Sequence, residues 1–344
     1  MRLSALLLNT LLFNQLVLVA ASSNPASHVT TSSSGHMITA DHVEYHLGSP
    51  HTNIIMTAPH DGHIKPSSIP HRQKGCYNST NESCDWNHEC NHAVGDNPRK
   101  CRIVDWPDLR ASDLAIAMRN TISEITGHAP HLIISRLHRS KLDPNRERDN
   151  AAQHNEEAER SYDTFHGFIQ QAHNQVQASG NPGVHFDIHG YTMHNTDNWL
   201  ELGYNLQSNQ LNEGDLNPAN SSIRELAARS SASFESIIAG ENSLGWLVQQ
   251  EGFRVVPSPQ YPRPDMGVEG KYYRGGILPE GGGHCTEVIS IVFSWRCPSG
   301  SEMIVRCMGK CWEEHLQNGF RITILRAGIE LCQVVLYLIG ETPN

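Results

Sequence analysis

The sequence predicts an α/β fold, with a mixed and mostly parallel sheet flanked by helices. Two observations lead there. From about residue 40 short apolar β-type runs alternate with helical patterns, the order expected of strands joined by crossover helices. Three polar clusters also sit at the carboxyl ends of such strands, where open α/β sheets build their sites.

Taken in order, Asn53-Ile54-Ile55-Met56-Thr57 reads as a strand ending at Pro59. Ala111 to Ile125 is helical, with Leu114, Met118, Ile122 and Ile125 at three- and four-residue spacing. His131 to Ser135 is a strand. Asn155 to Ala178 is a longer helix carrying Tyr162, Phe165, Ile169, Ala172 and Val176 on one stripe. Val184 to Ile188 is a strand, Ser221 to Ile238 a helix, Phe253 to Val256 a strand, and Val288 to Ser294 a late strand.

The 344 residues carry 36 acids against 26 bases, a net charge of −10. No Lys/Arg cluster forms a phosphate-tracking face, which argues against nucleic acid as a partner. The 21 histidines stand out, since histidine is the commonest metal ligand. Residues 1–21 read as a secretory signal: Arg2 supplies the charge, Leu6 to Ala20 is mostly apolar, and Val19-Ala20-Ala21-Ser22 offers small residues for cleavage. A Ser/Thr-rich linker follows over 22–40, with no stop-transfer pattern. The expectation is a secreted or extracellular protein with no membrane partner after signal removal. Sequons at Asn78, Asn81 and Asn220 agree with that compartment. So do Cys76, Cys84, Cys90 and Cys101, disulfide candidates in an insertion over 72–104; four cysteines allow three pairings. A zinc knuckle from Cys84, Cys90, His88 and His92 fits no common spacing.

The first polar cluster is Pro59-His60-Asp61-Gly62, the second runs from Leu142 to Glu147 (L-D-P-N-R-E), and the third is Asp187-Ile188-His189-Gly190. A hydrolytic zinc site takes about three protein ligands, usually His and carboxylate. His60 and His189, each at a strand end, supply two. His63 follows His60 at three-residue spacing, but nothing forces its ring toward the same point. Asp108 and Asp113, at the start of the next helix, are the carboxylate candidates; for Asp108 taken alone, helix capping is the simpler role. Asp187 and His189, two apart on a strand, share a face, so Asp187 orients its neighbour rather than binding metal. In the second region, Asn145-Arg146 offers a guanidinium and an amide for a substrate carboxylate. Arg139 can stabilise an oxyanion, although Arg136 to Arg148 also reads as a solvated charge run.

In order and spacing, P-H-D-G, R-S-K-L-D-P-N-R-E and D-I-H-G resemble the N-formylglutamate amidohydrolase family. E-L-G-Y (Glu201 to Tyr204) and V-P-S-P (Val256 to Pro259) look like further landmarks, and the likeness covers roughly residues 50 to 276. The resemblance implies a zinc carboxypeptidase/aspartoacylase-like fold over 41–276 and one Zn2+ held by His60, Asp108 and His189. It also implies a carboxylate clamp of Asn145 and Arg146, with Arg139 polarising the scissile carbonyl. The activity implied is metal-assisted hydrolysis of a linear amide C–N bond in a small carboxylate-bearing substrate of the N-acyl amino acid type. A carboxypeptidase-like peptidase, and a secreted binding protein that keeps the clamp without turnover, are the alternatives.

The family places a proton-shuttling glutamate on a late strand; here the matching position falls near Ser294, with Glu280 and Glu287 nearby but out of place. Past Gly276 the likeness ends. Residues 277–344 read as a divergent tail with five cysteines (Cys285, Cys297, Cys307, Cys311, Cys332) and an apolar run, Leu331 to Ile339, too short to span a membrane. The expectation is that this tail leaves the fold without its last strand.

Overall fold

The computed structural model describes residues 30–31, 37–88, 101–180, 182–192, 199–241, 243–266, 272–275 and 286–295. The signal segment 1–21, the five tail cysteines and the run 331–339 lie outside the described residues, as do Cys90 and His92. Among the described residues no helix is long and apolar enough to cross a membrane.

A nine-stranded mixed sheet forms the centre. Its strands are β1 (Thr30–Thr31), β2 (Met37–Ala40), β3 (Val43–His46), β4 (Ile54–Ala58), β7 (His131–Ser135), β8 (Gly183–Thr192), β9 (Trp199–Gly203), β10 (Arg254–Val256) and β11 (Thr286–Trp295). They lie in the order β1-β2-β3-β7-β4-β8-β11-β9-β10. β7, β4, β8 and β11 are mutually parallel, while β3 and β9 run against them. β5 (Cys76–Asn78) and β6 (Ser83–Asp85) form a separate hairpin.

Residue alternation dictates which face each strand presents. On β8, Val184, Phe186 and Ile188 join a core with Ala111, Ala115, Met118 and Ile122 of α1 (Ala111–Thr126). His185, Asp187 and His189 therefore point to the opposite face, because side chains alternate along a strand. That opposite face is covered toward β3, β7 and β4 by α3 (Glu156–Ala178), whose Phe165, Ile169, Ala172 and Val176 pack on Tyr45, Ile55 and Ile133. Asn155 caps α3 by accepting from Ala158 N–H, and Glu156, Glu157 and Glu159 complement the dipole in its first turn. A short α2 (Arg148–Ala152) precedes it.

Two expectations change. The helix predicted over 221–238 is two, α5 (Arg224–Arg229) and α6 (Phe234–Ala239), following α4 (Ser208–Glu213) and followed by α7 (Leu244–Gln250). The break falls at the serine-rich stretch, where Ser233 accepts from Ser236 N–H and starts a new helix. The sheet also continues past residue 276. β11, with Ile289 and Ile291 buried, lies between β8 and β9, so the fold has a late strand inside the stretch read as a divergent tail. Ile289 and Ile291, two residues apart, turn to the same face and join the α1 core.

The insertion over 72–104 holds a Cys84–Cys101 disulfide, which removes Cys84 from any zinc knuckle; Cys76 is disulfide-bonded as well. The insertion is anchored through buried Arg72, whose guanidinium donates to the carbonyls of Val104, Arg139 and Asn150. Asn78, Asn81 and Asn220 are all exposed.

Candidate metal centre

The carboxyl ends of β4, β7 and β8 deliver the site residues. His60 follows β4, Arg139 to Arg146 follow β7, and His189 lies on β8. A close approach fixes the first loop against the second. A Cβ on Gly62 would stand 2.1 Å from the Leu137 carbonyl, so glycine is required there, and Ile64 bridges Leu137 beyond it.

His60, Asp108 and His189 converge, each offering one ligand atom within 4.8 Å of the others. The same Asp108 oxygen, Oδ2, lies 3.1 Å from His60 Nδ1 and 2.8 Å from His189 Nδ1. The far nitrogen of each ring donates to a fully buried carboxylate: His60 Nε2 to Asp143 Oδ1 at 2.7 Å, and His189 Nε2 to Asp187 Oδ2 at 2.7 Å. Metal-binding imidazoles are commonly held this way, with the second nitrogen fixed by a carboxylate so that the first points at the ion. This donor set fits a divalent metal ion. Asn145 lies beside the cluster, its Nδ2 3.3 Å from His189 Nε2, and its Oδ1 is buried with no hydrogen-bond partner among the described residues.

Asp108 does not cap α1. Asp61 takes that place, accepting from the N–H groups of Arg110 (3.0 Å) and Ser112 (3.1 Å) and from the Ser112 hydroxyl. Asp113 points outward and pairs with Arg110 at 3.0 Å. His63 is exposed and is not part of the cluster. Arg136 turns away to Glu44.

Asp143, which the motif reading passed over, organises the second loop. Its carboxylate takes Arg139 Nε at 3.0 Å as well as the His60 ring, with Arg72 at 3.7 Å and Arg146 at 4.0 Å. Arg139 also donates to Asp108 Oδ1 at 3.0 Å, so its guanidinium lies against the cluster. Arg146, with a side chain 39% exposed, donates to the Asn145 carbonyl at 2.7 Å and stands at the open edge.

The electrostatics follow from this packing. Burial alone would raise the Asp108 carboxyl, but His60 and His189 outweigh it and hold it well below the usual carboxylate range. Asp143 is likewise held low, against burial, by His60, Arg139 and Arg72. Burial disfavours a charged His189, yet Asp187 and Asp108 push its pKa up to about 10.

Behind Asp187 a polar chain continues inward. Thr57, its register partner on β4, donates to Asp187 Oδ1 at 2.7 Å and lies 3.0 Å from His185 Nε2. His185 in turn packs edge-on against His173 of α3.

No protein-family model matches the chain, and no curated protein does. Among solved structures it is similar to gene product Atu2144 from Agrobacterium tumefaciens, at 12% identity, with 87% of this chain and 92% of that chain covered and a TM-score of 0.34.

Proposed function

We propose that this chain is a secreted zinc-dependent amidohydrolase of the N-formylglutamate amidohydrolase type, with a zinc carboxypeptidase-like fold, that cleaves an amide next to a carboxylate. The observation that carries this reading is the pair of imidazoles aimed at Asp108 Oδ2, each braced from behind by a buried carboxylate. His60, Asp108 and His189 would hold the ion, which when bound supplies a Lewis acid for the acyl oxygen and for water.

The chain's own residues do the rest. Arg146 and Asn145 bind the substrate carboxylate at the open edge, where a guanidinium and an amide give directional donors. Arg139 is fixed by Asp108 and Asp143, so it is preorganised to stabilise negative charge developing on the carbonyl oxygen. Asp143 and Asp187 hold the two rings in place.

A second reading, a secreted binding protein that keeps the clamp without turnover, is favoured by one observation: near the late-strand position where the resemblance expects a glutamate, β11 carries Ser294, in register with Tyr191 of β8. Elemental analysis of purified protein, read with a hydrolysis screen over N-acyl amino acids and peptides, tests both. One zinc per chain with release of amine from N-acyl amino acids supports the hydrolase. Zinc with carboxylate binding and no turnover supports the binding protein, and peptide cleavage alone redirects the assignment to a peptidase.

A further inference from the structure

One register line crosses three strands: Val292 of β11 pairs with His189 of β8 on one side and with Glu201 of β9 on the other. Register partners on neighbouring strands turn their side chains to one face of the sheet. Packing agrees, because Leu200 and Leu202 join the α1 core together with Ile188, leaving Glu201 and His189 on the opposite face. Their backbones lie two strand spacings apart, about 10 Å.

Glu201 is fully buried, and its Oε2 accepts Tyr273 N–H at 2.7 Å. Tyr273 belongs to a strip, 272–275, laid along β9. Asn205 N–H donates to the Arg274 carbonyl at 2.7 Å and the Tyr272 hydroxyl to the Leu202 carbonyl. A Cβ on Gly203 would meet Arg274 backbone at 2.6 Å, so glycine lets the strip lie close. Tyr273 is exposed, and its phenol is raised by partial burial and then by the charges of Glu201 and Asp108, with Arg139 opposing. Glu201 and the His–Asp–His cluster thus share Tyr273 as a neighbour.

We propose that Glu201 is the proton-accepting carboxylate of this site, supplied by β9 because β11 carries Ser294 near the position that matches the resemblance. This rests on the hydrolase reading above. As the water oxygen bonds to the acyl carbon, one water proton passes to the Glu201 carboxylate. The C–N bond then breaks with its electron pair on nitrogen, and Glu201 returns the proton to that nitrogen. A carboxylic acid and an amine leave, and Glu201 ends as it began.

Glu201→Gln keeps an oxygen for the Tyr273 N–H and removes the proton acceptor. With zinc-loaded full-length protein and N-formyl-L-glutamate, hydrolysis is expected to fall about 10²- to 10⁴-fold. Zinc stoichiometry and melting temperature should stay at wild-type values. A measurement independent of turnover accompanies it. Acetohydroxamate gives up a proton to an adjacent carboxylate when it binds a metal, so calorimetry should show its affinity reduced at least about tenfold, with succinate affinity unchanged. If wild type hydrolyses nothing, the hydrolase reading fails, yet the hydroxamate comparison still decides the placement of Glu201. Unchanged hydroxamate affinity, unchanged hydrolysis, or loss of zinc in Glu201→Gln overturns the proposal. Should Gln at this position prevent folding, Glu201→Asp withdraws the carboxylate by one methylene; it is expected to slow hydrolysis at least about tenfold with zinc retained, and undiminished hydrolysis overturns the proposal.

Discussion

Asp61 accepts hydrogen bonds from both the N–H and the hydroxyl of Ser112 at the start of α1, and that division of labour turns Asp108 toward the histidines. Two acids precede this helix in space; the one adjacent in sequence serves the site and the distant one serves the cap. Asp61→Ala should therefore cost about 1–2 kcal/mol of stability, the usual worth of a lost N-cap. Urea unfolding of the metal-free protein measures it. A loss confined to zinc affinity with stability intact would contradict the capping role.

His189→Ala removes a candidate ligand atom, whereas Arg146→Ala removes a donor at the open edge. The first should abolish stoichiometric zinc, and the second should keep zinc while weakening succinate or N-acyl amino acid binding about tenfold or more. Elemental analysis and calorimetry separate them. Zinc retained by His189→Ala, or unchanged carboxylate affinity in Arg146→Ala, would contradict the assignment.

Much of the site was legible because strand ends advertise it: His60 follows a continuous apolar run, His189 an alternating one, and Asp187 shares a face with His189 by the two-residue period. Asp143 was not legible. Its partners His60, Arg72 and Arg139 come from three segments, and only the folded chain shows one carboxylate serving them all. The β2–β3 hairpin was hidden for a local reason. Its turn residues Asp41 and His42 take positive φ (45° and 64°) without a glycine to signal it. The late strand lay in plain view as an apolar run, but its place between β8 and β9 is a long-range pairing that periodicity cannot report.

Asp143→Asn weakens the charge pairing of buried Arg72, leaves Arg139 with Asp108 alone and takes the carboxylate brace from the His60 ring. Breaking a buried ion pair from one side costs about 3–5 kcal/mol, and loss of such a brace lowers metal affinity about 10- to 100-fold. Denaturant unfolding and zinc competition against a chelator measure the two effects. Zinc affinity at the wild-type level would show that His60 does not depend on Asp143.

Thr57→Val tests the chain behind His189. Valine keeps the shape but removes the hydroxyl that donates to Asp187, leaving one oxygen of a buried carboxylate without its donor. The expected cost is about 1–3 kcal/mol in stability, with zinc affinity reduced about tenfold. Equal zinc affinity in both proteins would separate Thr57 from the site.

The metal-free protein should carry its charge state in its pH dependence. His189, raised to about 10 by Asp187 and Asp108 against the opposing effect of burial, contributes stability that is fully present below its unfolded value near 6.5 and is lost as pH rises toward 10. Asp108 and Asp143, both depressed, contribute stability present above about pH 4 and lost as pH falls further. Metal-free stability should therefore decline on both sides of a window from about pH 4 to 6.5. Zinc binding must displace the His189 proton, so zinc affinity should rise with pH over 6.5 to 10 while metal-free stability falls. Calorimetry in buffers of different ionisation enthalpy would record that proton as released on zinc binding. No proton release at pH 7.5 would mean that His189 is already neutral there, and that the two carboxylates around it do not hold its charge.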